Sequence, residues 1–240
     1  MKKYYTRACN FYYGYNSKKL VKKNKSIPLN GNLSISFDHI EIITRSSKKL
    51  IHIKNINKLN KKLKSKIKAD LNNIKKKKKN FSNFDFKELP NIMGILNLTP
   101  DSFSDGGKFN KKNKGYLHSI KMHNFGCSII DIGGESTRPG SKGVNSDEEW
   151  RRISPTLKKL KKYKIPLSLD TRKHCIMRKG IKLGVKLIND VSALTNDSNS
   201  IDIVKKYNIP FVLHHMQGTP KNLQKKPKYK NVLLDIYDFF

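Results

Sequence analysis

From residue 91 onward the chain repeats one pattern five times. A short apolar run ends in polar residues, and a stretch with helical spacing follows. The runs are IMGILN (92–97), SIIDIGG (128–134), IPLSLD (165–170), KLIND (186–190) and IPFVLHH (209–215). Each has the length of a buried strand. Between them, helices are predicted around 114–125, 147–163, 173–183 and 198–208. Asp147 is placed to cap the second, with Glu148 and Glu149 in its first turn. Pro155 falls inside that helix and should kink or divide it. Strands that alternate with helices at this spacing predict an α/β fold with a parallel sheet and the helices outside it.

Open sheets and closed barrels both present ligands at the carboxyl ends of their strands. A doubly wound sheet gathers its chemistry at one switch point. Here all five strands end in groups able to do chemistry: Asn97, the GGESTRPGS loop (133–141), Asp170, Asn189 with Asp190, and His214 with His215. Five contributing strands favour a (β/α)8 TIM barrel, with about five of its eight strands present.

The first 74 residues read differently. ISFDHIEII (35–43) alternates in part, and LIHI (50–53) follows RSSKK, which predicts a β-hairpin. Ile56, Leu59, Leu63, Ile67, Leu71 and Ile74 recur at three- and four-residue spacing, which predicts a helix with a Lys-rich outer face. The expected layout is a small Lys-rich α+β region over 1–74, a basic linker over 75–90 opening with five lysines, and a partial barrel over 91–240.

Charge restricts the partners. The formal net charge is +33, and residues 1–90 alone hold 24 Lys and Arg against 5 Asp and Glu. Such an excess can mark nucleic-acid binding. Here it is nearly all Lys, alongside abundant Asn and Ile, the composition of an AT-rich genome. Base readout and single-strand binding also call for Arg and placed aromatics. Nucleic acid is therefore disfavoured as a partner. Cys9, Cys127 and Cys175 show no metal-ligand spacing, and an odd count of separated thiols fits the cytoplasm. No apolar stretch reaches the ~20 residues of a membrane span. The N-terminus lacks the apolar core of a secretory signal.

Individual residues suggest roles. Arg138, in a Gly-rich loop with Ser136 and Thr137, is a planar cation suited to phosphate or carboxylate. Asp170 closes an apolar strand, where a carboxylate needs partners. It suits the amidine-like edge of a heterocycle, and equally a salt bridge to Arg172 or Lys173, or a helix cap at Thr171. Asn189 offers a donor and an acceptor, to a heterocycle or to neighbouring loops. Of His214 and His215, at most one can face the mouth of a barrel, because successive strand residues point to opposite faces.

The stretches IMGILNLTPDSFSDGG, SIIDIGGESTRPGS, SLDTRK, LINDVSAL and HHMQGTPKNLQ together resemble the dihydropteroate synthase family, in order and spacing, over roughly residues 91–229. The resemblance implies a TIM barrel that condenses 6-hydroxymethyl-7,8-dihydropterin pyrophosphate with p-aminobenzoate, giving 7,8-dihydropteroate and pyrophosphate in folate synthesis. It implies Mg2+, bound through Asn97, which would also meet the pyrophosphate. Thr137 and Arg138 would bind the pyrophosphate, Asp170 and Asn189 the pterin, and Met216 would pack against it. Asp170, Arg138 and Asn97 would carry the catalysis. The loop from Thr99, with Pro100, Ser102 and Phe103, would form the p-aminobenzoate pocket. A homodimer is implied for the full-length protein. Family members continue into three further strands, so an incomplete chain, inactive alone, is expected. A methyltetrahydrofolate-dependent methyltransferase shares the strand-end Asp and Asn but lacks the first two loops.

Overall fold

The computed structural model describes residues 3–77, 91–99, 113–136, 141, 143–218 and 226–240. Two compact units divide the chain, residues 1–79 and 80–240.

The first unit is built around one long strand. It contains β1 (Tyr5–Tyr13), α1 (Gly14–Lys22), β2 (Ile27–Leu29), β3 (Asn32–Ile43), β4 (Lys48–His52), a 3-10 helix (Ile53–Lys58) and α2 (Lys61–Lys75). β3 pairs antiparallel with β1 along one edge, and with β2 and then β4 along the other. The predicted hairpin is thus β3–β4. The predicted helix over 56–74 begins later, because Asn60 caps α2 by accepting the amide of Leu63. Ile67 and Leu71 then meet Phe37, Ile40 and Ile42 in a small core. β1 and α1 gave no periodic signal. β1 is an edge strand with little alternation in burial, and α1 buries only Ser17. The expected linker lies mostly at 78–90, outside the described residues.

The second unit carries the repeated pattern. Its elements are β5 (Met93–Asn97), α3 (Lys114–Asn124), β6 (Ile129–Gly133), α4 (Ser146–Leu160), β7 (Leu167–Asp170), α5 (His174–Lys182), β8 (Leu187–Asp190), α6 (Ser200–Tyr207), β9 (Phe211–Leu213) and α7 (Val232–Phe239). The five strands are parallel and lie in sequence order. An order without reversal is that of a (β/α) barrel wall rather than a doubly wound sheet. Leu96, Ile130, Ile132, Leu169 and Ile188 pack outward against Ile153, Leu157, Leu160 and Ile176 of the helices.

Two helix expectations change. Asn145 caps α4 by accepting the amide of Glu148, so Asp147 lies inside the first turn. Pro155 does not divide α4, which runs unbroken from Ser146 to Leu160. Burial of Ile153, Leu157 and Leu160 along one face holds the helix together across the missing amide.

Candidate functional site

Strand register gathers the polar strand ends. Asn97 is opposite Gly133, Gly133 opposite Asp170, and Asp170 opposite Asn189. Partners in a parallel ladder share a face, so Asn97, Asp170 and Asn189 form one row at the carboxyl ends of β5, β7 and β8. Gly133 leaves a gap in that row. A Cβ there would lie 3.3 Å from Oδ2 of Asp170 and 3.6 Å from Oδ1 of Asn97.

Asp170 is partly accessible and makes no hydrogen bond or ion pair among the described residues. Both cations that follow it are taken. Arg172 reaches Oε1 of Glu135 at 2.9 Å and Oδ1 of Asn196 at 3.0 Å. Lys173 reaches Oε2 of Glu135 at 3.0 Å and also bonds Glu149. Thr171 accepts only the amide of Lys173. Burial therefore pushes the Asp170 carboxyl well above the usual range, and the carboxylates of Asp131, Glu149, Asp190 and Glu135 push it further.

Glu135 is the counterweight. Burial alone would raise its carboxyl, but Lys173 and Arg172 together hold it below the ordinary value. It also accepts the amide of Val144 at 3.2 Å, tying the loop after β6 to the entry of α4. Arg152 of α4 donates to the carbonyl of Gly134 at 2.9 Å.

Asn189 has partners at both ends of its amide. Nδ2 donates to Oδ2 of Asp131 at 2.8 Å, and Oδ1 lies 2.6 Å from Nε2 of His214. Burial raises the Asp131 carboxyl, while Ser168, Asn189 and His214 draw it partly back. Asp190 is buried and structural. It accepts the amides of Ser192 and Leu194 and the Ser192 hydroxyl, holding a turn in which Ala193 and Leu194 take positive φ.

The histidine pair divides. His214 bonds Asn189, whereas His215 packs against Tyr229, Phe239 and Phe240. Met216 is half-buried two residues beyond His214. Thr99 is buried two residues beyond Asn97, and its hydroxyl has no partner among the described residues. Thr137, Arg138, Pro100, Ser102 and Phe103 lie outside the described residues. Among the described residues, no group of three or more His, Cys, Asp or Glu side chains is arranged to hold a metal ion.

Asp131 carries no role in the sequence reading, Glu135 appears there only as part of its loop, and His214 only as one of a histidine pair at a strand end. A carboxylate inside the apolar run IIDIG was the available signal for Asp131, since such a group must find donors. Glu135 stood within a conspicuous loop, but its partners are 37 and 38 residues away.

A family model described as "Pterin binding enzyme" matches residues 93–240. The dihydropteroate synthase of Neisseria meningitidis serogroup C is 45% identical over 150 residues, covering 61% of this chain and 53% of that protein. The crystal structure of Yersinia pestis dihydropteroate synthase with a sulfonamide drug complex is 39% identical at a TM-score of 0.64, covering 67% of this chain and 59% of that one. The Xanthomonas albilineans dihydropteroate synthase with 4-aminobenzoic acid is 40% identical at a TM-score of 0.55, covering 62% of this chain and 53% of that one. The chain spans about half the length of the curated relatives it matches.

Proposed function

The chain belongs to the pterin-binding enzyme family, and on that premise we propose that it carries the pterin-binding part of a dihydropteroate synthase. The reaction joins 6-hydroxymethyl-7,8-dihydropterin pyrophosphate to p-aminobenzoate, releasing pyrophosphate. The observation that carries the reading is Asp170: a carboxylate in the strand-end row, without a partner among the described residues because Glu135 takes both cations that follow it in the chain. Such a group lacks a positively polarised N–H edge, and a pterin supplies one.

The proposed division of labour follows the row. Asp170 accepts N–H bonds from the pterin, and Asn189 contributes its remaining donor and acceptor sites. Met216 packs against the ring. Asn97 offers a single neutral oxygen across the Gly133 gap. One amide oxygen, completed by water and phosphate oxygens, suits Mg2+, which seldom uses a cage made only of protein groups. Bound there, Mg2+ would stabilise charge on the departing pyrophosphate. Thr137 and Arg138 hold the same pyrophosphate from the second loop. Positive charge grows on the exocyclic carbon as that bond breaks, and an ionised Asp170 beside the ring offsets it. Thr99, Pro100, Ser102 and Phe103 position p-aminobenzoate for attack by its amine and keep water out. A cytoplasmic setting and a homodimer of the full-length protein complete the proposal. The three thiols are free, and no helix among the described residues is long and apolar enough to cross a membrane.

The test is calorimetric titration of the chain with dihydropterin pyrophosphate in the presence of Mg2+. Saturable binding that Asp170→Asn removes is expected. Absence of binding at millimolar ligand overturns the reading.

A further inference from the structure

We propose that Asp131 and His214 are positioning residues that lock the amide of Asn189 in one orientation. The argument starts from donor and acceptor inventories. An ionised carboxylate only accepts, so the Asn189 atom facing Oδ2 of Asp131 at 2.8 Å is the nitrogen. The carbonyl oxygen of Asn189 then faces Nε2 of His214 at 2.6 Å, and that ring nitrogen carries the proton. Flipping the amide would set oxygen against carboxylate and N–H against N–H. Each end therefore forbids the flip that an isolated Asn makes freely.

The three residues come from β6, β8 and the segment after β9, so the lock spans three barrel units. Ser168 of β7 stands opposite Asp131 in the ladder and fills the space between the outer two strands. One N–H and one lone pair of Asn189 have no partner among the described residues. Their order along the pocket edge is set by the lock, so a ligand meets a fixed donor–acceptor pair. This rests on the reading of Asn189 as a pterin contact. It adds that recognition by Asn189 is directed by two residues that need not touch the ligand.

The experiment uses the full chain, labelled with 15N, and follows the side-chain amide protons of Asn189, assigned by their loss in Asn189→Ser. Dihydropterin affinity is measured on the same samples. One strongly shifted, exchange-protected amide proton is expected in the wild type. It should disappear in His214→Leu, with dihydropterin affinity falling about 5- to 10-fold, and both should return to within about twofold in His214→Gln, whose amide can donate to the same oxygen. Asp131→Asn should behave like His214→Leu. Asp131 is buried, so that variant risks misfolding; His214 is exposed, and its variants decide the matter alone. Equal amide signals and affinities in wild type and His214→Leu overturn the proposal. So do equal losses in His214→Leu and His214→Gln, which would mark a steric role. A wild type with the protected proton but no dihydropterin affinity overturns both the site reading and the recognition role. Binding with no protected proton overturns the lock and leaves the site reading standing.

Discussion

Lys173 Nζ lies 3.0 Å from Oε2 of Glu135, joining the segment after β7 to the loop after β6. Arg172 closes on the other oxygen of the same carboxylate at 2.9 Å. One buried glutamate therefore engages the two cations that follow Asp170 in the chain and leaves that aspartate without a partner among the described residues.

Glu135→Ala is expected to destabilise the second unit by about 1–3 kcal/mol, because it leaves the half-buried Arg172 with only the neutral Asn196 and Lys173 with only Glu149. Urea unfolding of both forms checks this. The wild type should also carry a pH signature. The Glu135 carboxyl is held below its ordinary value, so its contribution is complete above the unfolded glutamate value of about 4.3. It is lost as pH falls through the lower, folded value. A variant whose stability is unchanged at pH 7 contradicts this account.

Asp170→Asn should trade binding for stability. The Asp170 carboxyl is raised in the fold, so its effect on stability is most favourable below the unfolded value of about 3.9 and worsens as pH rises through the folded value. Removing the charge should make the chain more resistant to urea at pH 7. Dihydropterin affinity should fall by roughly 10- to 150-fold, the worth of a charge-assisted bond of about 1.5–3 kcal/mol. A variant that binds as tightly as the wild type removes Asp170 from recognition.

Gly134→Ala should cost about 1–3 kcal/mol. The added methyl would sit 2.7 Å from Cγ2 of Ile153 and 3.0 Å from the backbone oxygen of Glu149, so α4 and the loop after β6 must part. Gly126→Ala supplies the contrast. No atom of the described residues lies within 4 Å of its would-be Cβ, so its positive φ is what resists the change. Thermal unfolding of the pair separates packing from backbone strain.

Asp38→Ala should loosen the first unit by about 1.5–3 kcal/mol. Asp38 accepts from Nδ2 of Asn10 at 2.7 Å and the Tyr12 hydroxyl at 2.7 Å, and bonds Nδ1 of His39 at 2.6 Å. Asn10 sits in β1 with φ of 56°, and its bond to Asp38 helps to hold that left-handed residue within the strand. Faster hydrogen exchange at the β1 amides, with those of the parallel sheet unchanged, is the expected result.

What sequence could and could not supply follows from the range of each force. The β-then-α periodicity from residue 91 reports which side chains face a core, and burial acts through a residue's immediate neighbours. Strands 93–97, 129–133, 167–170 and 187–190 were therefore readable in place, as was the barrel, which the unreversed strand order bears out. β1 and α1 were not, because an edge strand and a helix that buries one serine leave no periodic mark.

Pairing of charges was beyond the sequence for a different reason. SLDTRK places Asp170 beside Arg172 and Lys173, and local proximity alone would pair them. Tertiary structure decides otherwise, since Glu135, 37 residues away from Arg172 in sequence, is brought between the two cations by the packing of β6 against β7. The polar strand ends were thus readable in the chain. Which of them is left without a partner among the described residues was decided by long-range competition for the same two cations, which only the folded sheet brings about.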